Sequence, residues 1–213
     1  ERCCLPSLNS GRGRGWGCLV GVRLHYLPDL SSSVGDMPMY NEIQVSGAII
    51  VPILREGELD IISHNAEQTR RLGVKLGTLL QPGDILCLSG DLGAGKTVFS
   101  SGIGVGWGAD EPLISPTFNL VHVHSRAKDS TPLYHLDCYR LSGVADVDAI
   151  GLDDILEARG IVVIEWAERI APVLPRERLW IELRAFELTR RSVIFTAVGE
   201  RYRKLVDQFT GRT

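Results

Sequence analysis

Residues Gly90 to Thr97 read Gly-Asp-Leu-Gly-Ala-Gly-Lys-Thr, a full match to the pattern G-x-x-x-x-G-K-[ST]. Such a loop works only between an apolar strand and a helix. Its glycines let backbone N–H groups curl around phosphate oxygens with no Cβ in the way. The helix that follows points about half a unit of positive charge at the same oxygens. The flanks fit: Ile85 to Leu88 is a short apolar strand, and a helix is expected to run on through Val98 and Phe99. Asp91, Leu92, Gly93, Ala94 and Gly95 supply the cradle. The Lys96 ammonium can reach the β- and γ-phosphates, and the Thr97 hydroxyl can take a Mg²⁺ position. The chain is therefore expected to bind a nucleoside triphosphate with Mg²⁺.

The rest of the pattern alternates strand and helix. Glu58 to Ser63 reads as a strand, and Asn65 is placed to cap a helix with Gln68 at its third position. Leu72, Leu76, Leu79 and Leu80 recur at helical spacing until Pro82-Gly83. Further strands are expected at Leu120 to His124, Leu133 to Leu136, Ile161 to Ile164, Leu179 to Leu183 and Ser192 to Val198. Ile150 to Ala158 and Tyr202 to Phe209 read as helices, and Gly102, Gly104, Gly106 and Gly108 are expected to break the helix after the loop. This order predicts an α/β protein of the P-loop NTPase fold, a mostly parallel central sheet flanked by helices. The domain is expected over residues 55–213. Residues 1–54 are expected to be a disordered or non-native extension, with three of the five cysteines in the first 36 positions.

A P-loop needs an acid at the end of a neighbouring strand to hold Mg²⁺. Four β-branched residues, Ile161 to Ile164, suit a strand buried on both faces, and Glu165 emerges at its carboxyl end. Asp137 ends the strand Leu133 to Leu136 and is the second candidate, for an attacking water or the metal shell. An ordinary strand-end acid and a turn aspartate are the plainer readings of the same two residues.

Composition narrows the class. A net charge of −3 gives no basic footprint for nucleic acid, so any RNA is expected to be held by a partner. No apolar run approaches the ~20 residues that span a bilayer. Five irregularly spaced cysteines without a C-x-x-C pair argue against a disulfide framework or zinc ribbon, and for a reducing cytoplasmic setting. His122 and His124 share a strand face, expected to be exposed, and offer too few ligands for a metal. Cys138 has no histidine pattern that would make it a nucleophile. Trp166 suits either the metal site or the core. Arg190-Arg191 and the run Arg201 to Lys204 read as solvated surface, and Arg140 and Arg169 are the candidate arginines in cis.

Four blocks, SGDLGAGKT (89–97), SPTFNL (115–120), LYHLDCYRL (133–141) followed by IGLDDIL, and IVVIEWAERI (161–170), resemble the TsaE (formerly YjeE) family. That family is the ATPase subunit of the bacterial machinery making threonylcarbamoyladenosine in tRNA. The resemblance runs from about Asp60 to Phe209. It implies ATP as the nucleotide, Thr97 and Glu165 as Mg²⁺ ligands, Asp137 acting in hydrolysis, and Thr117 in a nucleotide-responsive loop. It also brings Thr69 near the base. It implies docking on the threonylcarbamoyl transferase subunit (TsaD) and its paralogue (TsaB), with tRNA met only indirectly. The family commonly has Thr at the position of Asn119 and Pro at that of Ala167. A small-molecule P-loop kinase and a non-catalytic nucleotide-sensing module are the rival functions.

Overall fold

The computed structural model describes residues 44–45, 48–49, 58–116, 120–141, 143, 146–147 and 150–211. The chain divides into two units, Glu1–Val51 and Pro52–Thr213. In the first, β1 (Gln44–Val45) pairs antiparallel with β2 (Ala48–Ile49). The extension expected over 1–54 otherwise lies outside the described residues.

The second unit runs β3 (Glu58–Ser63), α1 (Ala66–Gly77), β4 (Ile85–Ser89), α2 (Lys96–Trp107), β5 (Val121–Arg126) and β6 (Asp129–Asp137). It continues with α3 (Leu152–Glu157), β7 (Ile161–Glu165), β8 (Arg178–Ala185), β9 (Arg191–Val198) and α4 (Glu200–Thr210). Seven strands form one sheet in the order β3-β9-β8-β4-β7-β6-β5. The central four, β8, β4, β7 and β6, are parallel, and the outer pairings are antiparallel. The expected α/β architecture is present, with its parallel part confined to the middle of the sheet.

Every residue of β4 and β7 is buried, as strands covered on both faces require. Successive side chains alternate between two cores. Leu86, Leu88 and Val163 join Phe99, Ile103, Leu205 and Phe209 on the face of α1, α2 and α4. Ile85, Cys87, Val162 and Ile164 join Leu152 and Ile155 of α3 on the other. Asn65 Oδ1 accepts from Gln68 N at 2.9 Å while Gln68 Oε1 accepts from His64 N at 2.8 Å, so both ends of the expected cap are used.

Three sequence expectations are corrected. Gly102, Gly104 and Gly106 lie inside α2, which ends only at Gly108 (φ 87°). These glycines answer to a neighbour: a Cβ at Gly102 would stand 2.1 Å from Arg70 O, and one at Gly106 1.9 Å from Val74 O. Gly73 and Gly77 of α1 face the same seam, so the two backbones approach closely enough to outweigh glycine's helix penalty of ~1 kcal/mol. His122 and His124 pair with His135 and Leu133, and His124 is buried while Val123 between them is the exposed residue. Arg201 is not loose surface charge: its guanidinium grips buried Asp84 at 2.6 and 2.9 Å and donates to Leu79 O. Among the described residues no helix is long and apolar enough to cross a membrane.

Candidate functional site

The loop leaves β4 at Gly90 (φ 131°), where a Cβ would strike Leu183 O at 2.1 Å, so only glycine lets the chain turn against β8. Gly93 (φ 79°) and Gly95 (φ 105°) bend the loop back into α2, and a Cβ at Gly93 would meet nothing within 4 Å. The loop thus presents main chain to an open side. Ala94 is buried beneath it and Leu92 is exposed at its tip. Arg191, expected on the surface, holds the loop from outside: Nε donates to Ala94 O at 3.1 Å and Nη2 to Gly93 O at 3.4 Å. Its Nη1 donates to the carbonyls of Glu187, Leu188 and Arg190, joining the β8–β9 turn to the loop.

Lys96 opens α2. Its Nζ donates to Gly90 O (2.6 Å) and Asp91 O (2.9 Å) and lies 3.5 Å above the Trp166 ring centroid. Burial lowers its pKa, against the nearby carboxylates of Glu168, Glu165, Asp137 and Asp91. Trp166 follows Glu165 with φ 58°, a backbone conformation rare for a bulky residue. Tyr139 packs on its ring at 4.9 Å, and the Arg169 guanidinium lies near both rings while donating to Leu141 O.

Thr97 and Glu165 are brought together: Thr97 Oγ1 donates to Glu165 Oε2 at 2.8 Å. The other oxygen, Oε1, takes Ser100 Oγ at 2.7 Å and His135 Nε2 at 3.0 Å. Burial would push the Glu165 carboxyl up, but these three partners, His135 foremost, hold it below the usual glutamate range. A hydroxyl and an ionised carboxylate are hard oxygen donors. They suit Mg²⁺, which takes its remaining positions from phosphate oxygens and water, better than a thiophilic metal. The residues present therefore fit a phosphate-bound Mg²⁺.

Asp137 stands beside Glu165 in strand register. Its carboxylate accepts from Ser115 Oγ and from Tyr139 N (3.0 Å), which fixes its direction at the carboxyl edge of the sheet. Thr69 is fully buried: its hydroxyl is engaged with Ser63 Oγ and Asn65 O, and its methyl backs the loop at Gly95. Thr117 and Asn119 lie outside the described residues. Sequence reasoning missed Ser100, His135, Ser115 and Arg191.

Comparison with known proteins points to one family. Residues 63–193 match the family model described as "Threonylcarbamoyl adenosine biosynthesis protein TsaE". The tRNA threonylcarbamoyladenosine biosynthesis protein TsaE of Bacillus subtilis (strain 168) is 37% identical over 146 residues, 68% of this chain and 90% of the relative. The Treponema pallidum (strain Nichols) protein of the same name is 40% identical over 133 residues, 62% of this chain and 96% of the relative. The crystal structure of YdiB from Bacillus subtilis superposes with a TM-score of 0.62 at 33% identity, covering 72% of this chain and 95% of that one.

Proposed function

This chain belongs to the TsaE family of tRNA threonylcarbamoyladenosine biosynthesis proteins, and from that premise we propose that it binds ATP with Mg²⁺ at residues 91–97 and hydrolyses it. The observation that carries this reading is the 2.8 Å contact between Thr97 and Glu165 at the mouth of a glycine loop, with Asp137 on the adjacent strand.

The main-chain amides of the loop and the α2 N-terminus bind the phosphate chain. Lys96 exchanges its two loop carbonyls for phosphate oxygens. Thr97 and Glu165 hold Mg²⁺, which when bound neutralises charge on the reacting phosphoryl group. Asp137, oriented by Ser115 and the Tyr139 amide, accepts a hydrogen bond from the attacking water and aims it. Thr117 belongs to the segment expected to respond to the nucleotide, and Thr69 supports the loop behind Gly95. The isolated chain is expected to turn over at about 10⁻⁴ to 10⁻² s⁻¹, the range of P-loop proteins without a supplied arginine. The setting is cytoplasmic. The hydrolytic cycle acts on the threonylcarbamoyl transferase subunit TsaD and its paralogue TsaB, which meet the tRNA.

The test joins calorimetry of ATP binding with Mg²⁺, phosphate release, and capture of the transferase pair with and without ATP. Asp137→Asn is expected to bind ATP and release little phosphate. A complex that cycles normally with Asp137→Asn would mark a nucleotide sensor, and labelled γ-phosphate on any acceptor but water would mark a kinase. No heat with ATP and Mg²⁺ would end the reading.

A further inference from the structure

Two partners of Glu165 have no part in the chemistry above. Ser100 and His135 are both fully buried, and both meet the same oxygen, Oε1. The terminal torsion of a glutamate is broad and nearly two-fold, so a carboxylate held only by Thr97 could exchange its oxygens. Two donors on Oε1 remove that freedom and leave Oε2 facing Thr97.

The chemistry also settles the imidazole. An ionised carboxylate only accepts hydrogen bonds, so the proton between the two groups sits on His135 Nε2. His135 Nδ1 is buried and has no partner among the described residues. A proton there would be buried unsatisfied. The neighbouring ring, His124, lies 6.3 Å away between centroids, and its own Nε2 is likewise buried and unpaired. Among the described residues, then, no acceptor stands within hydrogen-bond distance of His135 Nδ1.

We propose that His135, held as its Nε2–H tautomer, is with Ser100 the positioning pair that locks the rotation of Glu165 so that Oε2 faces the metal position beside Thr97. The inference rests on the ATP and Mg²⁺ reading for its purpose, but its geometry can be tested without either ligand. Outer partners of a ligand of this kind are typically worth about 10- to 100-fold in metal affinity.

The first measurement is the long-range ¹H–¹⁵N spectrum of the full chain at neutral pH. His135 is expected to show a protonated Nε2 and an unprotonated Nδ1. A proton on Nδ1 would overturn the assignment. The second is the Mg²⁺ dependence of binding of a fluorescent ATP analogue. His135→Phe keeps the ring volume without the donor, and its Mg²⁺ midpoint is expected to rise about 10- to 100-fold while metal-free binding is unchanged. His135→Gln restores an N–H donor and is expected to return the midpoint to within a few-fold of the parent. Equal midpoints for parent and Phe variant, or a Gln variant as impaired as Phe, would overturn the proposal. Should His135→Phe fail to fold, the Gln variant and the spectrum still decide. If the parent binds no nucleotide but shows the Nε2–H tautomer, the functional reading falls and the assignment of the pair's geometry stands.

Discussion

Gly106→Ala should destabilise the protein although alanine is the better helix former. Taken alone, α2 gains: glycine inside a helix costs ~1 kcal/mol relative to alanine. The seam with α1 reverses the sign. A Cβ at Gly106 would lie 1.9 Å from Val74 O, 2.8 Å from Val74 C and 3.0 Å from Val74 Cα, all backbone. No rotamer relieves such a contact, so the helices must separate by roughly an ångström. Overpacking of this kind costs about 1–3 kcal/mol, and contact with three backbone atoms belongs at the upper end. The net loss is therefore ~2 kcal/mol, or about 4–8 °C in Tm for a chain of this size.

Two companion variants isolate the cause. Gly102→Ala meets Arg70 O at 2.1 Å and should lose a similar amount. Gly104→Ala meets only the Leu113 side chain, its nearest atom the Cδ1 methyl at 2.4 Å, which can turn away, so its cost should be smaller by ~1 kcal/mol or more. Thermal and urea unfolding of the three variants followed by circular dichroism gives the ranking. A Gly106→Ala protein as stable as its parent, or one less damaged than Gly104→Ala, would refute the close-seam argument. Because Lys96 opens the same helix, Gly106→Ala should also weaken ATP binding.

Other consequences can be checked directly. Lys96 sits 3.5 Å above the Trp166 ring, so drawing the ammonium toward phosphate should change Trp166 emission on ATP addition; Trp166→Phe should abolish that change, and an unaltered signal would contradict the model of lysine transfer. Arg201→Ala leaves the buried Asp84 carboxylate without its cation and should cost about 3 kcal/mol in urea unfolding; a loss under ~0.5 kcal/mol would show the pair to be incidental. Tyr202 Oη accepts from Ile85 N at 2.8 Å, and burial raises the phenol to about 12. Its folded value lies above the unfolded one near 10, so its contribution is whole below pH ~10 and is lost as pH rises toward 12. Tyrosinate absorbance of the parent minus that of Tyr202→Phe should show one late titration; ionisation near pH 10 would refute the burial argument.

Much of the site was legible because each part answers to a local rule. The loop declares itself by residue type, and Ile161 to Ile164 announce a strand covered on both sides, which puts Glu165 at its end. What escaped needed partners distant in sequence. Glycines in α2 look like helix breakers until Gly73 and Gly77 are set against them. Arg191 looks like half of a surface doublet until the strand order places β9 beside β8 and its side chain against the loop carbonyls. His135 did leave a signal: in Leu133-x-His135-x-Asp137, strand alternation puts all three on one face, and Leu133 belongs to the core under α2. Ser100 left another, three residues after Thr97 and hence on the same side of the helix.

Those two periodicities meet at Glu165. On β7 the residues Ile161, Val163 and Glu165 share the face toward α2, and Thr97 and Ser100 sit one helical turn apart on the opposing surface. The carboxylate spans that turn, one oxygen to each hydroxyl. A one-residue slip of β7 would turn Ile164 toward Thr97 and drive Glu165 into the apolar core containing Leu152 and Ile155. The slip would bury a charge without its partners, a far greater cost than any single contact in the site. The four β-branched residues suit either face, so it is Glu165 at their end, with its partners on α2 and β6, that fixes the register of β7. The geometry that would hold a metal is enforced by the same packing that makes the protein fold.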